Sequence, residues 1–173
     1  MDLKDYIIVE KGIIPSHICN DIISNIKDRK WNKHQWSNNI IYDTKELSVC
    51  RASTSDHLTI KKYFQQVIDS NFPDIVSSSN YLRFNRYDVG TLMRKHYDHI
   101  QSLFDGEKRG IPVLSGVVNL NSDYKGADLC FWDDYIISLG TGDVVVWPSL
   151  FLYPHFVTEC TEGKRFSGVI WYW

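Results

Sequence analysis

The sequence predicts a mostly β fold of the α+β class, with helices confined to the N-terminal part. Aromatic residues make up 14 % of the 173-residue chain, and aromatic and β-branched residues favour strands. Beyond residue 80, short apolar segments alternate with turns at even spacing, as in a sandwich, a jelly roll or a small barrel. Before residue 80, apolar side chains recur at helical spacing instead.

The N-terminal part is predicted to contain two helices. Ser16 is a suitable N-cap for a helix over residues 17–30. Ser55 or Asp56 is a suitable cap for a second helix that ends near residue 70. Short strands are also predicted, at residues 6–9 and near residues 40–42.

The C-terminal part is predicted to consist of strands joined by turns. The strands are expected at residues 81–87, 112–120, 127–132, 135–139, 144–147, 155–160 and 165–173. Turns are expected at residues 133–134, 140–143 and 162–163. We interpret the chain as a single domain, in which residues 1–79 form a helical support region and residues 80–173 form a β core.

Composition argues against several classes of function. The net charge of −2 gives no general attraction to nucleic acids or anionic membranes, and no apolar run approaches the ~20 residues of a membrane span. The four cysteines lack CxxC spacing, which argues against a zinc ribbon. The acidic start of the chain is unlike a signal peptide, so we expect a cytoplasmic protein with reduced thiols.

The histidines include one pattern that suits a metal ion. His96 and Asp98 are two residues apart in an extended segment, so both side chains point to one face. His155 lies in another extended segment and is the candidate third ligand. Two histidines and one carboxylate, with open positions opposite them, suit non-haem Fe(II) oxygenases. The histidines of the N-terminal part are expected at the surface or as caps: His17, His34 and His57.

A candidate anion site follows His155 in the sequence. Arg165 and Ser167 share one face of a predicted strand that is otherwise largely apolar. The forked guanidinium next to a hydroxyl suits a carboxylate, which it can bind in bidentate fashion. Because a buried arginine needs an anion, this strand indicates an acidic ligand near the metal.

These segments together resemble a known family, the 2-oxoglutarate and Fe(II)-dependent oxygenases, in particular the prolyl 4-hydroxylase-like branch. The resemblance covers roughly residues 80–173. The matching segments, in order, are residues 83–98, 117–129, 142–155 and 163–171. The resemblance implies a double-stranded β-helix, which is a distorted jelly roll, with the N-terminal helices packed on one sheet.

The resemblance also implies roles for individual residues. The implied iron ligands are His96, Asp98 and His155. Arg165 would hold the C5 carboxylate of 2-oxoglutarate, next to Ser167, and Tyr87 would place its hydroxyl in the cosubstrate pocket. Asn119 occupies a position where some relatives carry a tyrosine that helps to hold this carboxylate. That help is either lost here or supplied by Asn119 itself.

The implied reaction is the hydroxylation of a C–H bond with release of succinate and CO₂. Fe(II), 2-oxoglutarate and O₂ would take part, with ascorbate as a reductant. A prolyl residue of a peptide or protein is the implied substrate, and a free amino acid or another small molecule is the alternative. A non-catalytic β-helix binding protein is the alternative from another class. Residues 99–112 are interpreted as a mobile loop over the substrate entrance or as a simple surface loop.

Overall fold

The computed structural model describes residues 2–35, 45–98 and 112–173. Two antiparallel sheets contain its strands, and two α-helices contribute to the apolar core on the outer face of the larger sheet. The helices are a 3-10 helix (Leu3–Tyr6), α1 (Ser16–Ile26) and α2 (Thr54–Asn71). The strands are β1 (Ile8–Glu10), β2 (Asn32–Lys33), β3 (Ser48–Arg51), β4 (Arg83–Asp88), β5 (Met93–His96), β6 (Leu114–Asn119), β7 (Tyr124–Gly126), β8 (Leu129–Phe131), β9 (Tyr135–Ile137), β10 (Val144–Pro148), β11 (His155–Val157) and β12 (Cys160–Tyr172).

The two sheets differ in size. In the larger sheet the strand order is β1-β10-β6-β12-β4-β3-β2, and β7 pairs with the first part of β12. In the smaller sheet the order is β5-β11-β8-β9. Because many neighbouring strands, such as β1 and β10, are distant in sequence, each sheet is completed only after remote segments of the chain have met.

Alternating side chains of the larger sheet build two separate apolar clusters. In β10, Val144 and Val146 belong to the cluster that also contains residues of α1 and α2, whereas Val145 and Trp147 lie in the cluster between the sheets. This is the period-2 pattern of a strand with two buried faces. The face between the sheets also carries the polar side chains of the candidate site.

One glycine lets α2 approach the sheet closely. A Cβ atom built on Gly116 of β6 would lie 2.5 Å from the ring of Phe64, which is fully buried on α2. The helix therefore packs against bare backbone at this point. Any larger residue at position 116 would force the helix away from the sheet.

The structure corrects the predicted helix ends. The cap residue of α1 is Pro15, with Ser16 as the first helical residue, and the helix ends at Ile26, whose carbonyl accepts a hydrogen bond from the Trp31 indole. The cap of α2 is Ser53, whose side chain accepts the backbone N–H of Asp56. Several adjacent residues can cap a helix in each region, and sequence alone did not select the right one.

The predicted turn at Glu162 and Gly163 is wrong. Strand β12 runs without interruption through it, with a register shift against β7 and a positive φ of 70° at Gly163. A glycine in this conformation marks a bulge as readily as a turn. Four short strands were not predicted: β2, β3, β5 and β7.

Two expectations fall outside the described residues. The strand predicted near residues 40–42 does so, as does the suggested loop over the entrance, apart from Pro112. The first predicted strand begins later than expected, at Ile8, because Asp2 caps the 3-10 helix ahead of it. The single-domain interpretation stays a prediction.

Among the described residues, neither α-helix combines the length and apolarity that a membrane span requires. The expected cytoplasmic location stays a prediction. All four cysteines are buried and unpaired: Cys19, Cys50, Cys130 and Cys160.

Candidate active site

His96, Asp98 and His155 meet between the two sheets. His96 ends β5 and His155 begins β11, and the two residues are direct partners across this antiparallel pair. Asp98 follows two residues after His96, and its carboxylate lies 3.5 Å from Nε2 of each histidine. One ligand atom from each residue lies within 4.8 Å of the others. This spacing is small enough for a single ion to contact all three.

The outer nitrogen of each imidazole is held by a backbone carbonyl. Nδ1 of His96 lies 2.7 Å from the carbonyl of Arg94, and Nδ1 of His155 lies 3.1 Å from the carbonyl of Tyr153. A carbonyl can only accept, so Nδ1 is the donor in each of these contacts. Nε2 is then the atom of each ring that faces Asp98, as in histidines that bind a metal through Nε2.

The charges of the three side chains suit a divalent cation. Burial lowers the pKa of His155 to about 4, although the Asp98 carboxylate opposes the shift, so this ring is neutral at neutral pH. Burial alone would raise the pKa of Asp98, but His155 and His96 hold it well below its usual range. The site thus offers an ionised carboxylate and neutral imidazole, which are the protonation states that bind metals.

Aromatic rings form the wall behind His155. The ring of Trp147 meets the His155 imidazole edge-on, with 5.0 Å between centroids, and Phe131 lies 5.6 Å away. Trp147 and Phe131 are themselves in edge-to-face contact and fully buried. This wall excludes water from one side of the histidine and fixes its orientation.

Arg165 lies between the same two sheets and is only 1 % exposed. Its Nε donates to Oδ1 of Asn119 at 2.8 Å, and its Nη1 donates to the carbonyl of Ala127 at 2.9 Å. The guanidinium carbon lies 5.4 Å from the ring centre of Tyr87 and 6.0 Å from that of Tyr124. Within the described ranges no carboxylate pairs with Arg165. A buried cation without a paired carboxylate is costly, which makes Arg165 a candidate partner for an anionic ligand.

Tyr87 and Ser167 flank the arginine. Tyr87 is the direct partner of Arg165 across β4 and β12, and burial raises the pKa of its hydroxyl, which stays protonated and can donate. Ser167 is buried and lies in register between Asn85 and Asn119. The structure therefore brings Tyr87, Ser167, Asn119 and Arg165 to one face of the larger sheet.

Three residues of this region were missed by sequence reasoning. Tyr124 on β7 donates its hydroxyl to Oδ1 of Asn119 at 3.2 Å. Arg83, at the start of β4, lies on the same sheet face as Asn85 and Tyr87. His34 was expected at the surface but is buried, as is His57. For the contact between Tyr124 and Asn119, the only signal in the sequence was their separation of five residues.

Comparison with known proteins gives the family. Residues 82–173 match the model of the 2OG-Fe(II) oxygenase superfamily, and the chain belongs to this superfamily. A PKHD-type hydroxylase of Methylobacterium nodulans is 32 % identical over 94 residues, which are 51 % of this chain and 40 % of the relative. The match thus spans well under half the length of that relative.

Solved structures share the fold. The viral collagen prolyl hydroxylase of Paramecium Bursaria Chlorella virus-1, in a 2OG complex, has a TM-score of 0.73 at 16 % identity, covering 96 % of this chain and 94 % of that one. A prolyl-4-hydroxylase of Pseudomonas putida has a TM-score of 0.74 at 16 % identity, with coverage of 96 % and 92 %. A prolyl hydroxylase of Trichoplax adhaerens, in complex with a hypoxia inducible factor peptide fragment, has a TM-score of 0.73 at 12 % identity, with coverage of 97 % and 83 %.

These findings confirm the predicted 2OG-Fe(II) oxygenase family and the jelly-roll fold, whereas the prolyl 4-hydroxylase-like branch stays a prediction. They also confirm the class of enzyme, a 2-oxoglutarate-dependent dioxygenase, which argues against the alternative of a non-catalytic binding protein. The roles of the individual site residues stay predictions.

Proposed function

We propose that this chain hydroxylates a prolyl residue of a peptide or protein, with Fe(II), 2-oxoglutarate and O₂ as reactants. One observation carries the proposal. The ligand atoms of His96, Asp98 and His155 converge between the same two sheets that enclose Arg165, a buried cation without an anion. A metal site and a carboxylate site in one enclosed space are what a chelating, doubly charged cosubstrate requires.

The three proposed metal ligands fit Fe(II). One carboxylate and two imidazoles on one side of an ion leave positions for other ligands on the opposite side. When bound there, iron supplies the activation of O₂ and the oxidising power for the C–H bond. The chain holds the ligands in place through the carbonyls of Arg94 and Tyr153 and keeps one side dry with Trp147 and Phe131.

Arg165 is the proposed partner of the far carboxylate of 2-oxoglutarate. Its Nε and Nη1 are engaged with Asn119 and Ala127, which fix the plane of the guanidinium. The remaining N–H groups are available for a carboxylate. The hydroxyls of Tyr87 and Ser167 lie on the same face and are proposed to donate to the cosubstrate as well. Arg165 would thus hold one end of 2-oxoglutarate and leave the other end available to the metal.

The proposed substrate rests on the family branch and on the names of the structural neighbours. All three of those neighbours are named as prolyl hydroxylases, and one of them is in complex with a peptide fragment. A free amino acid is the alternative substrate within the class. Ascorbate is proposed as the reductant on the family resemblance alone.

The test is turnover by the full chain reconstituted with Fe(II) without oxygen and then exposed to O₂. Succinate formation from 2-oxoglutarate is measured with proline-containing peptides and with free amino acids, together with the gain of one oxygen atom by mass spectrometry. We expect succinate and a hydroxylated peptide in equal amounts. Succinate with hydroxylation only of a free amino acid would contradict the peptide assignment, and the absence of any succinate would contradict the whole proposal.

A further inference from the structure

We propose that Arg83 binds a carboxylate of the primary substrate, so that the preferred substrate carries an acidic group close to the carbon that reacts. The inference rests on the proposed function and specifies its substrate class. It concerns a second cation beside the metal centre, separate from Arg165.

Arg83 points into the space between the sheets but is not fully enclosed. It alternates along β4 with Asn85 and Tyr87, which share its face, and it is half-buried. Its Nε donates to Oδ1 of Asn85 at 3.1 Å, and its guanidinium carbon lies 5.1 Å from the ring centre of Trp171. Among residues 2–35, 45–98 and 112–173 it has no ion-pair partner, and its Nη groups make no hydrogen bond. The outer edge of its fork is therefore available to a ligand.

Arg83 lies within electrostatic range of the proposed metal ligands. Burial lowers the pKa of Arg83, and the Tyr87 hydroxyl and the Asp98 carboxylate oppose that shift. Burial lowers the pKa of His34 to about 3, and the charges of Arg83 and His96 contribute in the same direction. His34 is thus influenced by the charges of Arg83 and of a proposed metal ligand, and His34 and Arg83 border a common space.

That space is a pocket of about 530 Å³. It is lined by Asn32, Lys33, His34, Gln35, Val49 and Arg83. Of these six side chains five are polar, so the pocket suits a polar group of a ligand better than an apolar one. Lys33 adds a positive charge to the rim while its Nζ donates to the backbone carbonyl of Glu46. The Glu46 carboxylate is completely buried, 3.6 Å from His34 Nδ1.

A neighbouring strand adds to the positive potential. Arg51 of β3 is the direct partner of Arg83 of β4, and its guanidinium lies 4.4 Å from the ring centre of Tyr81. Arg51 thus adds a second positive charge on the strand next to Arg83.

With a metal ion and 2-oxoglutarate bound, Arg83 would be a charge in this region that still lacks a counterion. A divalent ion would compensate Asp98, and 2-oxoglutarate would compensate Arg165, whereas Arg83 would keep an uncompensated charge in a partly dehydrated place. A forked guanidinium binds carboxylates in bidentate fashion. Peptides carry this group on acidic side chains, and free amino acids carry it on the α-carbon. The structure assigns the carboxylate, and the experiment separates the two sources.

The experiment measures binding without turnover. The full chain is loaded with Mn(II) and 2-oxoglutarate in the absence of oxygen and titrated calorimetrically with two pairs of probes. The peptide pair is acetyl-Glu-Pro-Glu-amide and acetyl-Gln-Pro-Gln-amide, and the amino-acid pair is L-proline and L-prolinamide. The variant is Arg83→Gln. The matched control is Arg86→Gln, which removes the same charge from the same strand on its opposite face, where Arg86 pairs with Asp88 and lies over Trp31.

In one of the two pairs, we expect the acidic probe to bind the wild-type protein about tenfold more tightly than its neutral counterpart. Arg83→Gln should abolish this preference without changing the affinity for 2-oxoglutarate, and Arg86→Gln should retain it. Equal affinities in both pairs, a preference that survives Arg83→Gln, or no binding of either acidic probe would overturn the assignment. Failure of the proposed function would give a different result, because the wild-type protein would then not bind 2-oxoglutarate in a metal-dependent way. The Arg83 proposal would in that case be wrong as well.

Discussion

Arg165 donates a hydrogen bond of 2.8 Å from Nε to Oδ1 of Asn119. The amide of Asn119 cannot turn over, because its Nδ2 donates to the carbonyl of Asn121 at 2.6 Å and to those of Leu139 and Gly140 at 3.2 Å. Its oxygen must therefore face the arginine. The asparagine thus acts on the guanidinium, fixing its plane.

Replacement of Arg165 should affect the cosubstrate and spare the metal. Removal of one charge-assisted partner from a desolvated carboxylate costs about 2–5 kcal/mol. We expect Arg165→Ala to raise the KM for 2-oxoglutarate at least about 30-fold and Arg165→Lys to have a milder effect, because lysine keeps the charge without the fork. Separate titrations with Mn(II) and with 2-oxoglutarate check this. Equal loss of both affinities would mean that Arg165 serves the fold.

Loss of the contacts of Asn119 should also weaken the binding of 2-oxoglutarate, but less than loss of Arg165 does. Tyr124→Phe removes one neutral hydrogen bond to Asn119, worth about 1 kcal/mol. We therefore expect about a fivefold loss of 2-oxoglutarate affinity, with a larger loss for Asn119→Ala, which leaves the Arg165 Nε without its partner. Calorimetric titration of the Mn(II)-loaded variants measures both. Unchanged affinity in Asn119→Ala would contradict an orienting role.

Metal binding should stabilise the protein through Asp98. An ion at 100 times its Kd adds about 2.7 kcal/mol to the free energy of unfolding. In a chain of this size that amounts to a rise in Tm of roughly 5–10 °C. We expect this rise with Mn(II), its reversal by a chelator, and its loss in Asp98→Ala together with all succinate formation. Asp133→Ala is the control, since that carboxylate is 84 % exposed and pairs with Lys95. Succinate formation close to the wild-type rate in Asp98→Ala would refute the ligand assignment.

Alkaline pH should weaken the fold through its buried thiols. Burial raises the pKa of Cys19 and of Cys50 from 9.0 to about 11. The unfolded chain therefore releases these protons at lower pH than the folded protein, and the free energy of unfolding falls as the pH rises from 9 toward 11. Each thiol contributes a slope of up to about 1.4 kcal/mol per pH unit.

Urea unfolding at several pH values under reducing conditions measures this slope. Cys19→Ala should make it shallower by the contribution of one thiol, whatever that variant does to the stability at pH 7. An identical slope in the two proteins would contradict a raised pKa at Cys19.

Local sequence pattern was sufficient for parts of the site. The spacing of His96 and Asp98 on an extended segment places both on one face, and the same rule places Arg165 with Ser167. The meeting of His155 with His96 depends instead on the register of β11 against β5. That register is set by the packing of distant strands, so local pattern could offer His155 only as a candidate third ligand, which the family resemblance then supported.

The missed residues have the same physical explanation. Tyr124 reaches Asn119 because β7 pairs with the first part of β12. This part of β12 was missed because a turn was predicted at Gly163. Arg83 was part of a recognised segment, but nothing in its local pattern distinguished it from a surface arginine. Its electrostatic interaction with Asp98 follows from the stacking of the two sheets, which no single segment encodes.

Strand β12 also constrains the order in which the molecule can be completed during synthesis. It pairs with β6 on one side and β4 on the other, and it carries Arg165. A nascent chain that lacks β12 therefore leaves β4 and β6 with open edges, which are templates for wrong pairing. Insertion of this one strand closes both edges and delivers the guanidinium in the same step. Until β12 leaves the ribosome, both edges are therefore exposed to wrong pairing.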